Sequence, residues 1–380
     1  MSAPEVASPI LPPFGGPCLT GVVPGLLDHL YGSGPLAEWM PATLNGARQV
    51  VLLVIDGLGW KQLESRTGLA PTLATGMAAG MGRAITSVAP STTACALTSL
   101  VTGRPPAEHG VVGYRVAYDN EILNVLQWTV GGVDARMRVP ARTFQPCPLF
   151  VGSPGPVPVV TRYDYSSTGF SAAHLGDADL HGWHTPAGLI TGVRSLTAAG
   201  APFVYAYYEG IDKVAHARGL GEHYDDELRF VDRLVGAVLS VLPPGAVLVV
   251  TADHGQVDVG AAVEVLGGDV MDGVALISGE GRVRWLHARP GAVDAVADAA
   301  RSAFGDVAWV WTKDELVEGG FLGGVPSAAV SSRLGDVVLA PFTPTAFLDP
   351  ADTGELRLLA RHGSLTPEEM LIPLLSWPSA

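Results

Sequence analysis

The sequence is poor in cysteine, poor in positive charge and free of long apolar runs, and each shortage removes a class of protein. Cys18, Cys95 and Cys147 are odd in number and widely spaced, which excludes a disulfide framework and a CxxC metal site and suits a reducing compartment. Lys and Arg together number 23 against 37 Asp and Glu, a formal net charge of -14. A surface for nucleic-acid polymers or anionic membranes needs the opposite field. No uncharged apolar segment of about 18 residues occurs, and the opening residues carry no basic start before an apolar run. The expectation is therefore a cytoplasmic chain with neither signal peptide nor membrane span. Lys61, Lys213 and Lys313 follow Trp60, Asp212 and Thr312, so the Gly-Lys-Ser/Thr of a phosphate-binding P-loop is missing as well.

What the sequence does have is apolar content of 48%, with 47 Gly and 30 Pro, the make-up of a compact, turn-rich enzyme-like chain. Its 380 residues suffice for one large α/β domain or two modest ones. Three continuous β-branched and leucine-rich runs read as doubly covered parallel strands. They are "QVVLLVIDGLGW", ending at Asp56-Gly57, "PFVYAYYEGID", ending near Asp212, and "AVLVVTADHG", ending at Asp253-His254-Gly255. Helical spacing over 92–102, about 186–199 and 222–242 alternates with them, which implies parallel pairing. Two stretches interrupt the alternation. Residues 115–180 are turn-rich, contain "GSPGPVPVV" and carry Trp128, Phe144, Tyr163 and Tyr165; they are expected to form an inserted cap. Residues 259–345 are expected to form a small α+β insertion, before "ARHGSLTPEEMLIPLL" returns to the core.

Each strand-like run places a carboxylate just past its carboxyl end, the edge where open α/β sheets hold ligands. Asp56, Asp212 with His216 four residues on, Asp253 with His254, and His362 make three carboxylates and three imidazoles. Such donors suit zinc or manganese, and two ions about 3.5–4 Å apart can clamp both oxygens of a phosphoryl displacement. Each piece also has a plainer reading: Asp-Gly as a turn, Asp and His four apart as a helix-surface pair, and His362-Gly363 as a turn. The stretch "APSTTACALTSLVTG" is equally two-sided. Its hydroxyls cap a helix, or one of them attacks a substrate at a helix N-terminus that stabilises phosphate.

Taken in order, "VVLLVIDGLGW", "PSTTACALTSLVTGRPPAEHGVVGY", "YYEGIDKVAHARG", "TADHG" and "RHGSLTPEEMLIPLL" resemble the alkaline phosphatase superfamily. Within it they resemble the nucleotide pyrophosphatase/phosphodiesterase branch. The resemblance implies an α/β fold, a three-layer α/β/α sandwich with a mostly parallel central sheet. It implies a single catalytic domain over 1–380, bearing the 115–180 cap and the 259–345 insertion. The activity it implies is phosphoric ester hydrolysis, of the phosphodiesterase or nucleotide pyrophosphatase kind, through a phospho-threonine intermediate. The family's nucleophile precedes the Thr of its helix-ending "TG" by nine residues, which points from Thr102 to Thr93. Ser91 and Thr92 then become cap or phosphate-neighbour residues. By the same resemblance Asp212, His216 and His362 hold one divalent ion, and Asp56, Asp253, His254 and the Thr93 oxygen hold the other. Zinc is the first expectation, with manganese or iron as alternatives, and the partner is a small phosphate ester such as a nucleotide.

One departure stands out: Tyr114 occupies the place where the diesterase branch has an Asn that donates to a phosphate oxygen. Tyr114 is thus a candidate substrate contact of different length and bulk. Phosphomonoester and phosphonate hydrolysis, as in phosphonoacetate hydrolases, stay open as alternatives, as does a non-catalytic metal- or nucleotide-binding protein. A sulfatase is excluded because Cys95 is followed by Ala96-Leu97-Thr98-Ser99 and not by CxPxR. A cofactor-independent phosphoglycerate mutase fits poorly, since that family has a Ser nucleophile and a larger insertion.

Overall fold

A computed structural model of the chain describes residues 8–32, 34–78, 80–349 and 357–379. Seven strands build the central sheet: β1 (Gln49–Ile55), β2 (Gly82–Thr86), β3 (Pro158–Arg162), β4 (Asp179–Trp183), β5 (Phe203–Tyr208), β6 (Ala246–Thr251) and β7 (Leu371–Pro378). Their spatial order is β2-β7-β6-β1-β5-β3-β4. β6, β1, β5, β3 and β4 pair in parallel, whereas β7 is antiparallel to both of its neighbours. The three runs read as strands are the middle of this sheet. From Val50 to Ile55, and throughout β5 and β6, every residue is buried, as a parallel sheet covered on both faces requires.

Helices supply the two outer layers. One group packs α1 (Val22–Tyr31) against α2 (Thr93–Thr102) and α2 against the short helix Gly169–Leu175. The other gathers α3 (Pro186–Ala198), α4 (Gly210–Arg218) and α5 (Glu222–Ser240). On α5 the buried Tyr224, Leu228, Val231, Leu234, Val235 and Val238 recur at three and four, the single apolar stripe of a helix laid on a sheet. Among the described residues no helix is long and apolar enough to cross a membrane. The cysteines are all free, Cys18 and Cys95 being buried.

The stretch expected as one inserted cap divides in two. Arg115–Tyr118, Glu121–Asn124, Thr129–Val130 and Val133–Asp134 form a separate antiparallel sheet, but β3 and β4 extend the central sheet. The sequence hides them for two physical reasons. β3 follows directly on a Pro-Gly tract, and its apolar part is only Val159 and Val160. β4, "DLHGW", is an edge strand with Trp183 as its one buried residue, so no apolar run marks it. Residues 259–345 contain a four-stranded antiparallel sheet of Val274–Glu280, Val283–Ala288, Val337–Pro341 and Ala308–Thr312. The helix Val293–Phe304 packs on it through Val296, Ala297 and Ala300, around a core of its own.

A buried ion pair ties this accessory sheet to the segment that enters β7. Arg282, at the tip of the Glu280/Val283 hairpin, donates from Nε and Nη2 to the two carboxylate oxygens of Glu369 at 3.0 and 2.7 Å. Its remaining donors reach the Thr345 carbonyl at 2.7 Å and the Pro341 carbonyl at 3.1 Å. Glu369 also accepts from Ser364 N and Thr366 Oγ1, and its carbonyl accepts from Gly255 N at 2.8 Å. Neither side chain of the pair is exposed, so removing one partner strands a charge in the interior. Glu369→Ala is expected to lower unfolding free energy by about 3–5 kcal/mol, read from urea denaturation, while Arg282→Met with Glu369→Leu recovers most of that loss.

Candidate metal centre and active site

Strand register brings the acidic residues together. β1 lies between β5 and β6, with Ile55 opposite Tyr208 and Val54 opposite Thr251. Asp56 and Asp253 therefore leave adjacent strands at one edge, and Asp212 enters the first turn of α4 beside them. Gly57 makes the approach possible. Its φ is +73°, and a Cβ there would sit 3.1 Å from the Asp212 backbone. Its N–H donates to Asp253 Oδ1 at 3.1 Å. The fourth component comes from a two-residue bridge in which Arg361 pairs with Val257, so that His362 stacks on His254 with ring centroids 3.5 Å apart.

All three imidazoles are oriented the same way. His216 Nδ1 donates to the Ala360 carbonyl at 2.7 Å, His254 Nδ1 to the Gly255 carbonyl at 3.0 Å and His362 Nδ1 to the Ser91 carbonyl at 3.0 Å. That fixes the tautomer and leaves each Nε2 with a lone pair. The lone pairs face carboxylates. His254 Nε2 lies 3.4 Å from Asp56 Oδ1 and 3.4 Å from Asp253 Oδ2, and His216 Nε2 and His362 Nε2 lie 3.2 and 3.8 Å from Asp212 Oδ1. Ligand atoms of Asp56, Asp253 and His254 fall within 4.8 Å of one another, and so do those of Asp212, His254 and His362. His254 thus lies within reach of both groups, and not only of the one expected for it.

The electrostatics of this cluster are those of a cation site. Burial, followed by the charges of Asp253 and Asp212, pushes the Asp56 carboxyl well above its ordinary range, and burial also raises Asp253. Burial holds His254 below the usual imidazole value; His362 is held well below it, first by burial and then by His254 and His216. Asp56 Oδ1 and Asp253 Oδ2 are buried without a hydrogen-bond partner. Acceptors facing acceptors in the protein interior are unfavourable unless a positive ion lies between them. The donor set fits divalent ions on this ground alone.

Among the hydroxyls of "STTACALTSLVT", Thr93 has a distinct place. It opens α2 and is the one residue from 91 to 102 that is not buried. Its Oγ1 lies 3.0 Å from His254 Nε2. Four others are committed to structure: Ser91 Oγ donates to Ser364 O, Thr98 and Thr102 donate to carbonyls one turn back, and Ser99 bonds His109 Nε2. The cap reading of Thr92 is not realised, because its side chain makes no capping bond and Thr92 Oγ1 is buried without a partner.

Two cavities meet at Thr93, sharing Leu126 and Asp212. The larger, of about 280 Å³, runs between Leu97, Tyr165, Phe170, His174 and Tyr207. The smaller, of about 220 Å³, is lined by Tyr114, Glu280, Arg361, His216 and His362. Tyr114 and Thr93 both line this smaller cavity. Sequence reasoning missed several supporting residues. Gln256 donates from Nε2 to Asp212 Oδ1 at 2.6 Å, and Tyr207 donates from its hydroxyl to Asp56 Oδ2. Gln256 adjoins the "TADHG" motif and Arg361 opens the "RHGSL" motif; Tyr207 is one of several tyrosines in β5, and only the pleat shows which one faces Asp56.

Residues 50–365 match the family model described as type I phosphodiesterase / nucleotide pyrophosphatase. Among solved structures, murine ectonucleotide pyrophosphatase/phosphodiesterase 5 is similar at a TM-score of 0.65 and 18% identity, over 86% of this chain and 87% of that one. An inactive threonine-to-alanine variant of the murine protein in complex with AMP has a TM-score of 0.64 and 18% identity, with the same coverage. Phosphonoacetate hydrolase from Sinorhizobium meliloti 1021, in complex with phosphonoformate, has a TM-score of 0.63 and 19% identity over 89% of this chain and 90% of that one. No curated protein matches the chain. The family match spans most of the sequence, and the fold and the edge-of-sheet cluster accord with it: the chain belongs to the type I phosphodiesterase/nucleotide pyrophosphatase family, within the alkaline phosphatase superfamily.

Proposed function

We propose that this chain is a metal-dependent phosphodiesterase that works through a phospho-threonine at Thr93. The observation that carries the reading is the common orientation of His216, His254 and His362, whose Nε2 lone pairs face Asp56, Asp212 and Asp253 beside a hydroxyl at a helix N-terminus. Asp56, Asp253 and His254, with the Thr93 oxygen, would hold one divalent ion, and Asp212, His216 and His362 the other. Zinc is the first assignment, and manganese or iron suits the same donors. When bound, such ions supply positive charge that lowers the proton affinity of the hydroxyl and offsets charge on the phosphoryl oxygens.

The chain's own part is positional. Thr93 Oγ1 gives up its proton to solvent and attacks phosphorus in line; the bond to the leaving oxygen breaks, that oxygen takes a proton from solvent and departs as the alcohol, and the phosphoryl group stays as an ester on Thr93. Water then cleaves that ester and restores the hydroxyl. Backbone N–H groups of the first turn of α2 face the phosphoryl oxygens, and the Tyr114 phenol donates to one of them. A diester has two substituents, and two cavities flank Thr93, which favours a diester over a monoester. The inactivity of the murine threonine-to-alanine variant supports the role given to Thr93. In this reading the chain is one catalytic domain to which the 115–134 sheet and the 259–345 insertion are accessory, working in a reducing compartment that suits its free thiols. A phosphonate hydrolase is the second reading. Arg361, lining the smaller cavity, offers a guanidinium to a substrate carboxylate.

Release of nitrophenolate from bis-(para-nitrophenyl) phosphate is expected to exceed that from the monoester, to need zinc or manganese and to stop with a chelator. Thr93→Ala should lower kcat by at least about a thousandfold, and full activity in that variant would end the assignment. Phosphonoacetate cleavage faster than diester cleavage would favour the second reading. The raised carboxyls give a separate signature. A group with an elevated folded pKa retains more of its proton as pH falls, and a metal ion must displace it. Calorimetric zinc titrations in buffers of different ionisation enthalpy should therefore show proton release that grows as pH falls.

A further inference from the structure

The larger cavity contains chemistry that the hydrolytic steps do not use. His174, on the helix Gly169–Leu175, is only 5% exposed and lines the cavity wall. Its Nδ1 donates to the Phe170 carbonyl at 2.7 Å, and its ring stacks on Phe170 with centroids 4.0 Å apart. Tautomer and plane are both set by these contacts. Nε2 consequently carries a lone pair, and no hydrogen bond from a described residue reaches it. Burial holds the imidazole down to about 4, so it stays a neutral acceptor near neutral pH. The Thr161 hydroxyl lines the same wall from β3, is also buried and also lacks a partner within the described chain.

Size and charge narrow what can enter. An apolar cavity of about 150 Å³ takes a benzene ring, so about 280 Å³ holds one ring with its linker or a small bicyclic group. The cation in the lining, Lys213, is already held by Glu209 at 2.8 Å, which leaves little positive charge for an anionic tail. A ligand that places a donor at His174 satisfies a desolvated acceptor; one that places a methyl group there leaves it unsatisfied.

We infer that His174 is a specificity-determining residue, and that the larger cavity takes an uncharged, ring-sized ester substituent bearing an N–H or O–H donor at its end remote from phosphorus. This rests on the phosphodiesterase reading above. The test uses two mixed diesters of para-nitrophenol, one with para-aminophenethyl alcohol and one with para-methylphenethyl alcohol, which match in size and differ in the donor. The metal-loaded protein is expected to prefer the amino ester by about three- to tenfold in kcat/KM, and His174→Phe should bring that ratio to about one. Equal kcat/KM for the two esters in the unmodified protein overturns the inference, as does a preference that survives in folded His174→Phe. If that variant does not fold, the ratio in the unmodified protein decides alone. Calorimetry on Thr93→Ala with the two corresponding phenethyl phosphates separates the claims. Tighter binding of the amino compound without turnover of either diester removes the hydrolase reading and keeps the pocket assignment. Turnover of both diesters at one rate does the reverse.

Discussion

The constraint on which the rest of the molecule depends is a crowd of electron-pair acceptors held face to face at one sheet edge. Asp56, Asp212 and Asp253 are each fixed by a donor from the protein: the Tyr207 hydroxyl, the Gln256 amide and the Gly57 N–H. For Asp56 and Asp253 the donor anchors one oxygen and leaves the other buried and unpartnered. The imidazoles follow the same rule, with Nδ1 anchored to a backbone carbonyl and Nε2 turned inward. Every anchored atom fixes the aim of an unanchored one. A protein that needed only stability would have paired these groups with donors or replaced them with apolar residues.

Most of this centre was legible in the sequence because it lies where parallel sheets advertise themselves. The uninterrupted apolar runs of β1, β5 and β6 give both the strand assignment and its end, and a carboxylate past that end is visible without any structure. The helices α2, α3 and α5 were equally plain, with boundaries off by a residue or two as fraying ends always are. Thr93 needed more than periodicity. A row of hydroxyls before a helix does not say which one faces solvent, and only the family pattern selected it before burial did.

What stayed hidden depends on partners far away in the chain. β3 and β4 carry too few apolar residues to be recognised, because one follows a Pro-Gly tract and the other is an edge. Nothing local in the sequence marks Arg282 and Glu369 as partners, yet both are fully buried against each other. Nothing around His174 in the sequence sets it apart, and only the fold places it on the wall of a cavity. In each case the local sequence is compatible with several environments, and tertiary contacts decide among them.

The Arg282–Glu369 clamp also bears on the order in which the site comes together. Asp56 lies early in the chain, whereas His362 sits late, a few residues ahead of Glu369. Strands flanking β1 come from distant sequence, so the central pairing is non-local and closes slowly. His362 lies in the segment that Glu369 anchors to the accessory sheet through Arg282. A cluster gathered from both ends of the chain is thereby enclosed only when the architecture around it is complete.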